Sequence, residues 1–296
     1  MSFSSEKKAA AAFRPQHDDE CEAMLYGLIL FSNKFSADEL SFRTENAEVS
    51  DIFCGLLLGV LEISATPKMH VKKNGTIFKI SVIDADALSR IALKYASCGY
   101  NKIDRSVIPS SRMQHAFLRG AFLACGYIDP PERSYRLEFS VRDADLAVDL
   151  ALVLSENVNV MPKMSARKAD QIIYYRYSDL IIDFLNLIGL TSASFDIMNC
   201  QIEKEIRNNE NRKNNFDIAN IERNTGSSMM QIEAITALIK SGEFDALPVG
   251  LRTTAKLRMK YPDMSLEALG KAENPPLSKS QVSKRLKQII EIYKNK

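Results

Sequence analysis

The chain has few of the residues that build metal sites and disulfide frameworks. Its 296 residues include five cysteines and three histidines. The cysteines are odd in number, widely scattered and never spaced as a CxxC pair, so we expect reduced thiols and neither a disulfide framework nor a zinc knuckle. The histidines are equally scattered, and a histidine-based metal site is not expected. No cofactor is predicted.

Long apolar runs are missing as well. No uncharged hydrophobic stretch is long enough to span a bilayer, and the first eight residues lack the apolar core of a signal peptide. We therefore expect a soluble cytoplasmic protein with no membrane partner. A hydrophobic content of 46% is ample for packed cores, and a chain of this length is typical of two or three domains.

Positive charge is concentrated at the C-terminal end. The whole chain has a net charge of only +2, but residues 247–296 contain 11 Lys/Arg and 4 Asp/Glu. A small basic module on a mildly acidic body is expected when one domain binds a polyanion. The predicted partner is double-stranded DNA, which makes the protein nucleoid-associated, and no small-molecule substrate is indicated.

The last nineteen residues have the pattern of an amphipathic helix. Apolar residues recur at helical spacing from Val282 to Tyr293, and Ser278 with Gln281 matches a capping box at the start. Two further helices are predicted before it, over residues 247–261 and 265–272. Residues 247–296 therefore form a predicted three-helix domain with a helix-turn-helix, whose last helix enters the major groove.

The side chains expected at the DNA lie on the outer side of this helix and at the start of the preceding one. Short polar residues near a helix N-terminus suit base edges, and Lys or Arg further along suits phosphates. The predicted DNA contacts are Ser265, Ser278, Lys279, Ser280, Gln281, Ser283, Lys284, Arg285 and Lys287. The alternative is an amphipathic helix with a solvated basic face.

The body of the chain has the pattern of an internal duplication. Residues 20–195 divide into halves of about 20–100 and 112–190, after an N-terminal segment (1–19) and before a helical linker (196–246). Each half has the order helix, two strands, helix, two strands, helix, which makes the fold class α+β. The later elements are predicted at Asp51–Glu62, Met69–Lys73, Thr76–Ile83 and Asp86–Tyr95, and at Asp145–Ser155, Val158–Met164, Gln171–Tyr177 and Asp179–Ile188, with a hairpin turn at Asn74-Gly75.

Each half opens with an apolar helix that contains a glycine, at residues 24–30 and 117–123. A duplicated αββαββα unit of this kind resembles the LAGLIDADG homing-endonuclease fold. The resemblance implies that the opening helices pack together at small residues and that each ends in a metal-binding acid. Those acid positions hold Ser32 and Cys125, which cannot replace a carboxylate on Mg²⁺. We therefore predict no metal site, no catalytic residue and lost nuclease chemistry; a residual nuclease is the alternative.

Several motifs, which occur in one order along the chain, indicate a more specific family resemblance. They are Met1–Glu6, Thr44–Ala47, Arg119–Ala124 with Gly126, Asp129-Pro130, Ser134–Glu138, Arg207-Asn208, Asn211-Arg212, Asn215, Ala219-Asn220 and Pro275–Ser280. Together they are similar to the WhiA family of bacterial transcriptional regulators, from whose pattern Phe216 and Cys125 depart. The resemblance implies a DNA-binding regulator in sporulation, cell division and chromosome segregation, with an RNA polymerase sigma factor as a further expected partner.

The polar row in the predicted linker is a second candidate surface. Its members Arg207, Asn208, Asn211, Arg212 and Asn215 lie on or near one helical face, where amides and guanidinium groups can hydrogen-bond phosphates, bases or a protein partner. The alternative is a solvated linker helix. A further alternative makes the whole protein a scaffold that docks on transcription or division machinery and binds DNA weakly.

Overall fold

The computed structural model describes residues 2–72 and 75–295, without the side chains of residues 220–224. Predictions that involve Met1, Lys73, Asn74, Lys296 or the side chain of Asn220 lie outside the described residues. The chain divides into two compact units, of which the first ends at Lys204 and the second begins at Glu205.

The elements of the first unit form two similar halves. Its helices are α1 (Phe3–Ala11), α2 (Asp18–Leu30), α3 (Ala47–Leu61), α4 (Ala85–Tyr95), α5 (Ser111–Cys125), α6 (Ala144–Val158) and α7 (Ser178–Leu187). Its strands are β1 (Lys34–Phe35), β2 (Leu40–Thr44), β3 (Lys68–Lys72), β4 (Gly75–Val82), β5 (Gly126–Ile128), β6 (Leu137–Val141), β7 (Lys163–Arg167) and β8 (Asp170–Tyr175). The two sheets are antiparallel, in the orders β1-β2-β4-β3 and β5-β6-β8-β7. The predicted duplication, αββαββα twice, is confirmed.

The opening helices α2 and α5 approach each other at their glycines. A Cβ atom on Gly120 would meet the carbonyl oxygen of Met24 and lie 3.0 Å from the amide nitrogen of Leu28, and one on Gly27 would meet the carbonyl oxygen of Phe117. Both obstacles are backbone atoms that a rotamer change cannot remove. Glycine is therefore required at both positions, as the small-residue packing implied by the fold resemblance requires.

The interior of each half is aromatic. In the first half the rings of Phe42 and Phe53, from β2 and α3, lie 4.6 Å apart. In the second half Phe139 on β6 lies 5.6 Å from Phe184 on α7. Each sheet buries one face against helices, because successive strand residues point to opposite sides. The other face is largely exposed in the first sheet and partly buried in the second, where Glu138 and Ile172 are buried.

Several predicted boundaries differ from the structure for local reasons. Helix α3 begins at Ala47 rather than Asp51, because the Asn46 side chain accepts a hydrogen bond from the amide of Val49 at 3.2 Å and caps the helix earlier. The prediction of a strand from Val158 is wrong. Val158 is the last residue of α6, Asn159 follows with a left-handed φ of 59°, and strand β7 starts only at Lys163.

The N-terminal segment packs as a helix on the first unit. In α1 the Ser4 hydroxyl accepts from the amide of Ile128 at 3.3 Å, and the Asn46 amide group donates to the carbonyl of Ser5 at 2.9 Å. Lys7 is buried and pairs with Asp196 at 2.7 Å. These long-range contacts tie residues before α2 to the fold.

The predicted linker is one long helix, α8 (Thr191–Lys240). Near its start Ala193 and Ile197 belong to the core of the first unit. Near its end Ile235 and Leu238 belong to the core of the second. The predicted limits of the linker, 196 and 246, therefore do not follow the packing, since both ends of the helix contribute to a hydrophobic core.

The second unit is helical after α8. A short 3₁₀ turn (Phe244–Ala246) leads to α9 (Val249–Lys260), α10 (Leu266–Lys271) and α11 (Lys279–Lys294). Its core contains Leu251, Ala255, Leu269, Val282, Leu286 and Ile289 together with the end of α8. The predicted three-helix plan is confirmed, and the structure adds the end of α8 as a fourth packed element.

Candidate nucleic-acid interface

The turn between α10 and α11 is held tightly. The amide of Leu277 donates to the carbonyl of Gly270 at 2.9 Å, and a Cβ atom on Gly270 would meet the Leu277 carbonyl oxygen. The hydroxyl of Ser265 caps the start of α10 by accepting from Ala268 at 3.2 Å. A glycine at the crossing therefore sets how closely the two helices of the motif approach.

The predicted capping box at the start of α11 is confirmed. The Gln281 amide donates to the Ser278 hydroxyl at 3.3 Å. In return the Gln281 side-chain oxygen accepts from the Ser278 amide at 2.9 Å. The carboxamide of Gln281 is therefore partly engaged in the cap, and its NH₂ group is what it has left to offer a base edge.

The first turns of α11 present an exposed basic surface. Of the nine predicted DNA residues, the exposed ones are Ser265, Ser278, Lys279, Ser280, Gln281, Lys284 and Lys287. The first turn contains no acidic residue, so the two nearby lysines add to the positive end of the helix dipole. Two lysines, short hydroxyls and free backbone amides at one helix start form a surface suited to a phosphate backbone.

Arg285 has a structural position. Its guanidinium donates to the Gly250 carbonyl at 3.1 Å and to the Thr254 hydroxyl at 3.2 Å, and it pairs with the buried carboxylate of Glu273 at 3.2 Å. These contacts join α9 to α11. The structure thus gives the Nη1 group of Arg285 a role within the unit that the sequence did not predict, while no described residue engages its Nε or Nη2 group.

Ser283 and Lys287 lie on the side of α11 that lines a cavity of the second unit. Ser283 is half-buried and Lys287 is exposed. The same cavity is also lined by Ser265 at the start of α10, so three of the nine predicted DNA residues border it.

The polar row on α8 is exposed. Arg207, Asn208, Asn211, Arg212 and Asn215 are all exposed residues of this helix. Phe216 beside them is 62% exposed, which is unusual for a large aromatic side chain. The prediction of a second DNA or partner surface stays a prediction.

Ser32 and Cys125, the two positions predicted to replace nuclease acids, line a common cleft of 560 Å³ in the first unit. Cys125 ends α5 and Ser32 follows α2. Burial raises the pKa of the Cys125 thiol to about 12, against the opposing charge of Lys8. Burial also lowers the pKa of Lys8. The cleft therefore contains a neutral thiol, a hydroxyl and a nearby amine from α1.

No group of three or more His, Cys, Asp or Glu residues in the described part of the chain is placed to hold a metal ion. Among the helices of the described ranges, none is long and apolar enough to cross a membrane.

A basic row on the open face of the first sheet escaped the sequence analysis. Arg43, Lys79 and Lys68 are direct cross-strand partners on β2, β4 and β3, so their side chains share one face. His70 and Lys72 continue this face along β3. The alternation Lys68-x-His70-x-Lys72 was the only local signal, and the row itself depends on strand register.

Comparison with known proteins agrees with both parts of the molecule. The family model for the WhiA C-terminal HTH domain matches residues 211–293, and that for the WhiA LAGLIDADG-like domain matches residues 114–207. The crystal structure of full-length DUF199/WhiA from Thermatoga maritima superposes with a TM-score of 0.63 at 24% identity, covering 100% of this chain and 99% of that one. This likeness shows the shared fold.

Curated relatives extend along the whole chain. The "Probable cell division protein WhiA" of Thermoanaerobacter sp. (strain X514) is 33% identical, with 99% of this chain and 98% of that protein aligned. The protein of the same name from Clostridium botulinum (strain Hall) is 35% identical over 90% of this chain and 87% of that protein. The chain therefore belongs to the WhiA family of cell division proteins, with a LAGLIDADG-like domain and a C-terminal helix-turn-helix domain.

Proposed function

We propose that this protein is a transcriptional regulator that binds duplex DNA through the start of α11. The observation that carries the proposal is the exposed, acid-free first turn of α11, placed after a tight turn with lysines at 279 and 284. Helix-turn-helix domains present the start of the second helix to the major groove. Arg285 is not part of the observation that carries the proposal, because its Nη1 group is engaged between α9 and α11.

The first unit acts in this proposal without nuclease chemistry. Its support is chemical: Ser32 and the neutral thiol of Cys125 stand where a nuclease needs carboxylates. The basic row Arg43–Lys79–Lys68 and the polar row on α8 are proposed as secondary phosphate-binding surfaces. We further propose a nucleoid-associated role in the cytoplasm, in sporulation and chromosome segregation besides cell division, and contact with a sigma factor.

The test is fluorescence anisotropy of labelled promoter DNA with the full-length protein across a range of salt concentrations. The variant is the double substitution Lys279→Ala/Lys284→Ala. Its control is Lys240→Ala/Lys294→Ala, which removes the same charge from exposed lysines at other helix ends. We expect the variant to bind about tenfold more weakly and its log–log salt slope to fall by about 2, since each lost phosphate contact removes roughly 0.9.

Equal affinity of the variant and the control would contradict the proposed role of α11. Binding that depends instead on the sheet row or the α8 row would assign the DNA surface to those regions. Absence of binding to any promoter pool would favour the scaffold alternative.

A further inference from the structure

A cavity of 590 Å³ lies within the second unit, beside the helix-turn-helix. Its walls come from the end of α8 around Ser228 and Gln231, from Arg258 on α9, from the loop at residues 262–264, and from the face of α11 that carries Ser283 and Lys287. Its size falls within the range of small-molecule sites, about 300–1,000 Å³.

In this cavity wall Arg258 is a buried cation that has no ion pair among the described residues. Its side chain belongs to a residue that is 3% exposed. Nη1 donates to the carbonyls of Pro262 at 3.0 Å and Met264 at 2.7 Å. Nε is buried and has no hydrogen-bond partner among the described residues. Burial lowers the pKa of Arg258, and the charge of Asp263 only partly opposes this effect.

Among the described residues, Arg258 lacks the carboxylate partner that Arg285 has. Arg285 in the same unit has the carboxylate of Glu273 at 3.2 Å, whereas no carboxylate in the described part of the chain lies within ion-pair distance of Arg258. A guanidinium offers its Nε–H and the neighbouring Nη2–H as a fork that fits two oxygens of one oxyanion. Two carbonyls engage Nη1, so Nε and Nη2 are the donors of Arg258 that no described residue engages.

Gln231 has a buried acceptor without a donor, whereas Arg258 has a buried donor without an acceptor, among the described residues. The residue is 8% exposed, and its Oε1 atom is a buried acceptor with no donor among the described residues. Buried polar atoms are normally hydrogen-bonded, because leaving one unpaired destabilises the folded state. A ligand that satisfies both groups must accept from Arg258 and donate to Gln231.

The rest of the lining narrows the chemistry. Hydroxyl groups come from Ser227, Ser265 and Ser283, and the ammonium group of Lys287 lies on the same wall. Among the described side chains of the lining, Asp263 is the only carboxylate, so the two cations outnumber it. This composition disfavours a metal ion or a cationic ligand and favours an anion that also carries hydroxyl groups.

We propose that this cavity binds a small phosphate monoester with free hydroxyl groups, of the class of sugar phosphates and nucleoside monophosphates. The phosphate lies on the Nε edge of Arg258 and on Lys287, and a ligand hydroxyl donates to Oε1 of Gln231. The site goes beyond the proposed DNA-binding function and does not depend on it.

The test is isothermal titration of the full-length protein, without DNA, with ribose 5-phosphate and adenosine 5′-monophosphate. Ribose and inorganic phosphate are the comparison probes. We expect at least one ester to bind saturably and at least about tenfold more tightly than either fragment, because the site satisfies both ends at once. Which ester binds more tightly distinguishes a sugar phosphate site from a nucleotide site.

Gln231→Leu is the decisive variant, with Gln288→Leu on the exposed side of α11 as its matched control. Removing an unpaired acceptor leaves the free protein at least as stable, so a folding defect does not obscure the result. We expect Gln231→Leu and Lys287→Gln each to weaken ester binding about tenfold. The proposal is overturned if neither ester binds at millimolar concentration, or if inorganic phosphate binds as tightly and Gln231→Leu changes nothing.

Ligand binding at this site is expected to weaken the proposed DNA binding. Lys287 and Ser283 line the cavity and were predicted to face DNA, so a bound phosphate takes Lys287 away from the DNA backbone. We expect a saturating ester to weaken promoter binding of the parent protein several-fold, by roughly the value of one phosphate contact, and to leave the Gln231→Leu variant unaffected. Unchanged promoter affinity of the parent at saturation would refute this link.

Discussion

The two halves of the LAGLIDADG-like unit have the same interior and different open sheet faces. The pairing register makes Leu40 and Phe42 of β2 the counterparts of Leu137 and Phe139 of β6, and all four are buried. On the opposite face, the cationic row Arg43–Lys79–Lys68 of the first sheet becomes Ser140–Ile172–Ser165 in the second, where Ile172 is buried.

The next cross-strand row on the same face carries a carboxylate in the second half and a serine at the matching position of the first. Ser41 of the first half corresponds to Glu138 of the second, which pairs with Arg136 at 2.7 Å and with Arg167 at 3.0 Å. The second half thus pairs two of its cations with a carboxylate, whereas Arg43, Lys79 and Lys68 in the first half form no ion pair with a described residue. Packing constrains the shared interior, since volume and rotamer must match, but it places little constraint on an open face. The faces are therefore where the halves could acquire separate roles.

The largest expected effect tests the shared interior. Gly120→Val places side-chain atoms against the backbone of Met24 and Leu28 in α2, and we expect it to lower the free energy of unfolding by roughly 3 kcal/mol or more. Gly55→Ala is the control, since a Cβ atom there meets nothing within 4 Å in the described structure. It should raise stability by about 0.5–1 kcal/mol because alanine is the better helix former. Urea denaturation measures the free energy of unfolding of both variants. Equal effects would refute the close packing of α2 and α5 at Gly120.

The next effect separates the two open faces by stability. Glu138→Gln leaves Arg136 and Arg167 without their buried carboxylate and should cost about 1–3 kcal/mol of unfolding free energy, allowing for the partial exposure of both arginines. Ser41→Ala at the matching position should be neutral or slightly stabilising, because the buried Ser41 hydroxyl has no partner among the described residues. Chemical denaturation at neutral pH compares them; similar losses at both positions would mean that the halves do not differ here.

A smaller effect separates the faces by DNA affinity. Lys68→Gln/Lys79→Gln removes two cations from the row in the first half and should weaken nonspecific duplex binding about three- to tenfold at moderate salt. Lys163→Gln/Lys168→Gln removes the same charge from the second half, and we expect less than a twofold change. Anisotropy with a nonspecific duplex gives both values. If the two double variants lose the same affinity, only net charge matters.

The smallest effect concerns the cleft that contains Ser32 and Cys125. The pKa of Cys125 is raised to about 12 by burial, so at pH 8 only roughly one thiol in ten thousand is the reactive thiolate. Iodoacetamide should therefore modify the exposed Cys98 within minutes while Cys125 stays unmodified, as followed by mass spectrometry. Because the charge of Lys8 lowers the Cys125 pKa, Lys8→Met should slow the reaction further. Rapid labelling of Cys125 would show that the cleft is open.

Much of the molecule was predictable from local chemistry. The capping box of Ser278 and Gln281 needs only four consecutive positions, and it is confirmed. The glycine-containing helices around Gly27 and Gly120, and their repetition, likewise predicted the duplicated fold. The strand at Val158 was wrong, because β-branched residues that pack on a helix have the same local pattern as residues of a strand.

The candidate sites were less predictable where they join distant residues. Arg285 has the sequence context of a phosphate contact, and only the position of Glu273 twelve residues earlier in the chain gives it a structural role. Arg258 and Gln231 meet at one cavity because α8 ends in the core of the second unit. The row Arg43–Lys79–Lys68 depends on the registers of two strand pairs.

The sequence by itself determined the helix caps, the glycines of the opening helices, the repeated order of elements and the concentration of positive charge after residue 246. These features act between neighbours along the chain or follow from composition. Tertiary structure alone decided which cations are free, which are paired and which line a cavity. Those outcomes depend on the few ångströms between side chains far apart in sequence, and such distances are set by the packing of whole elements.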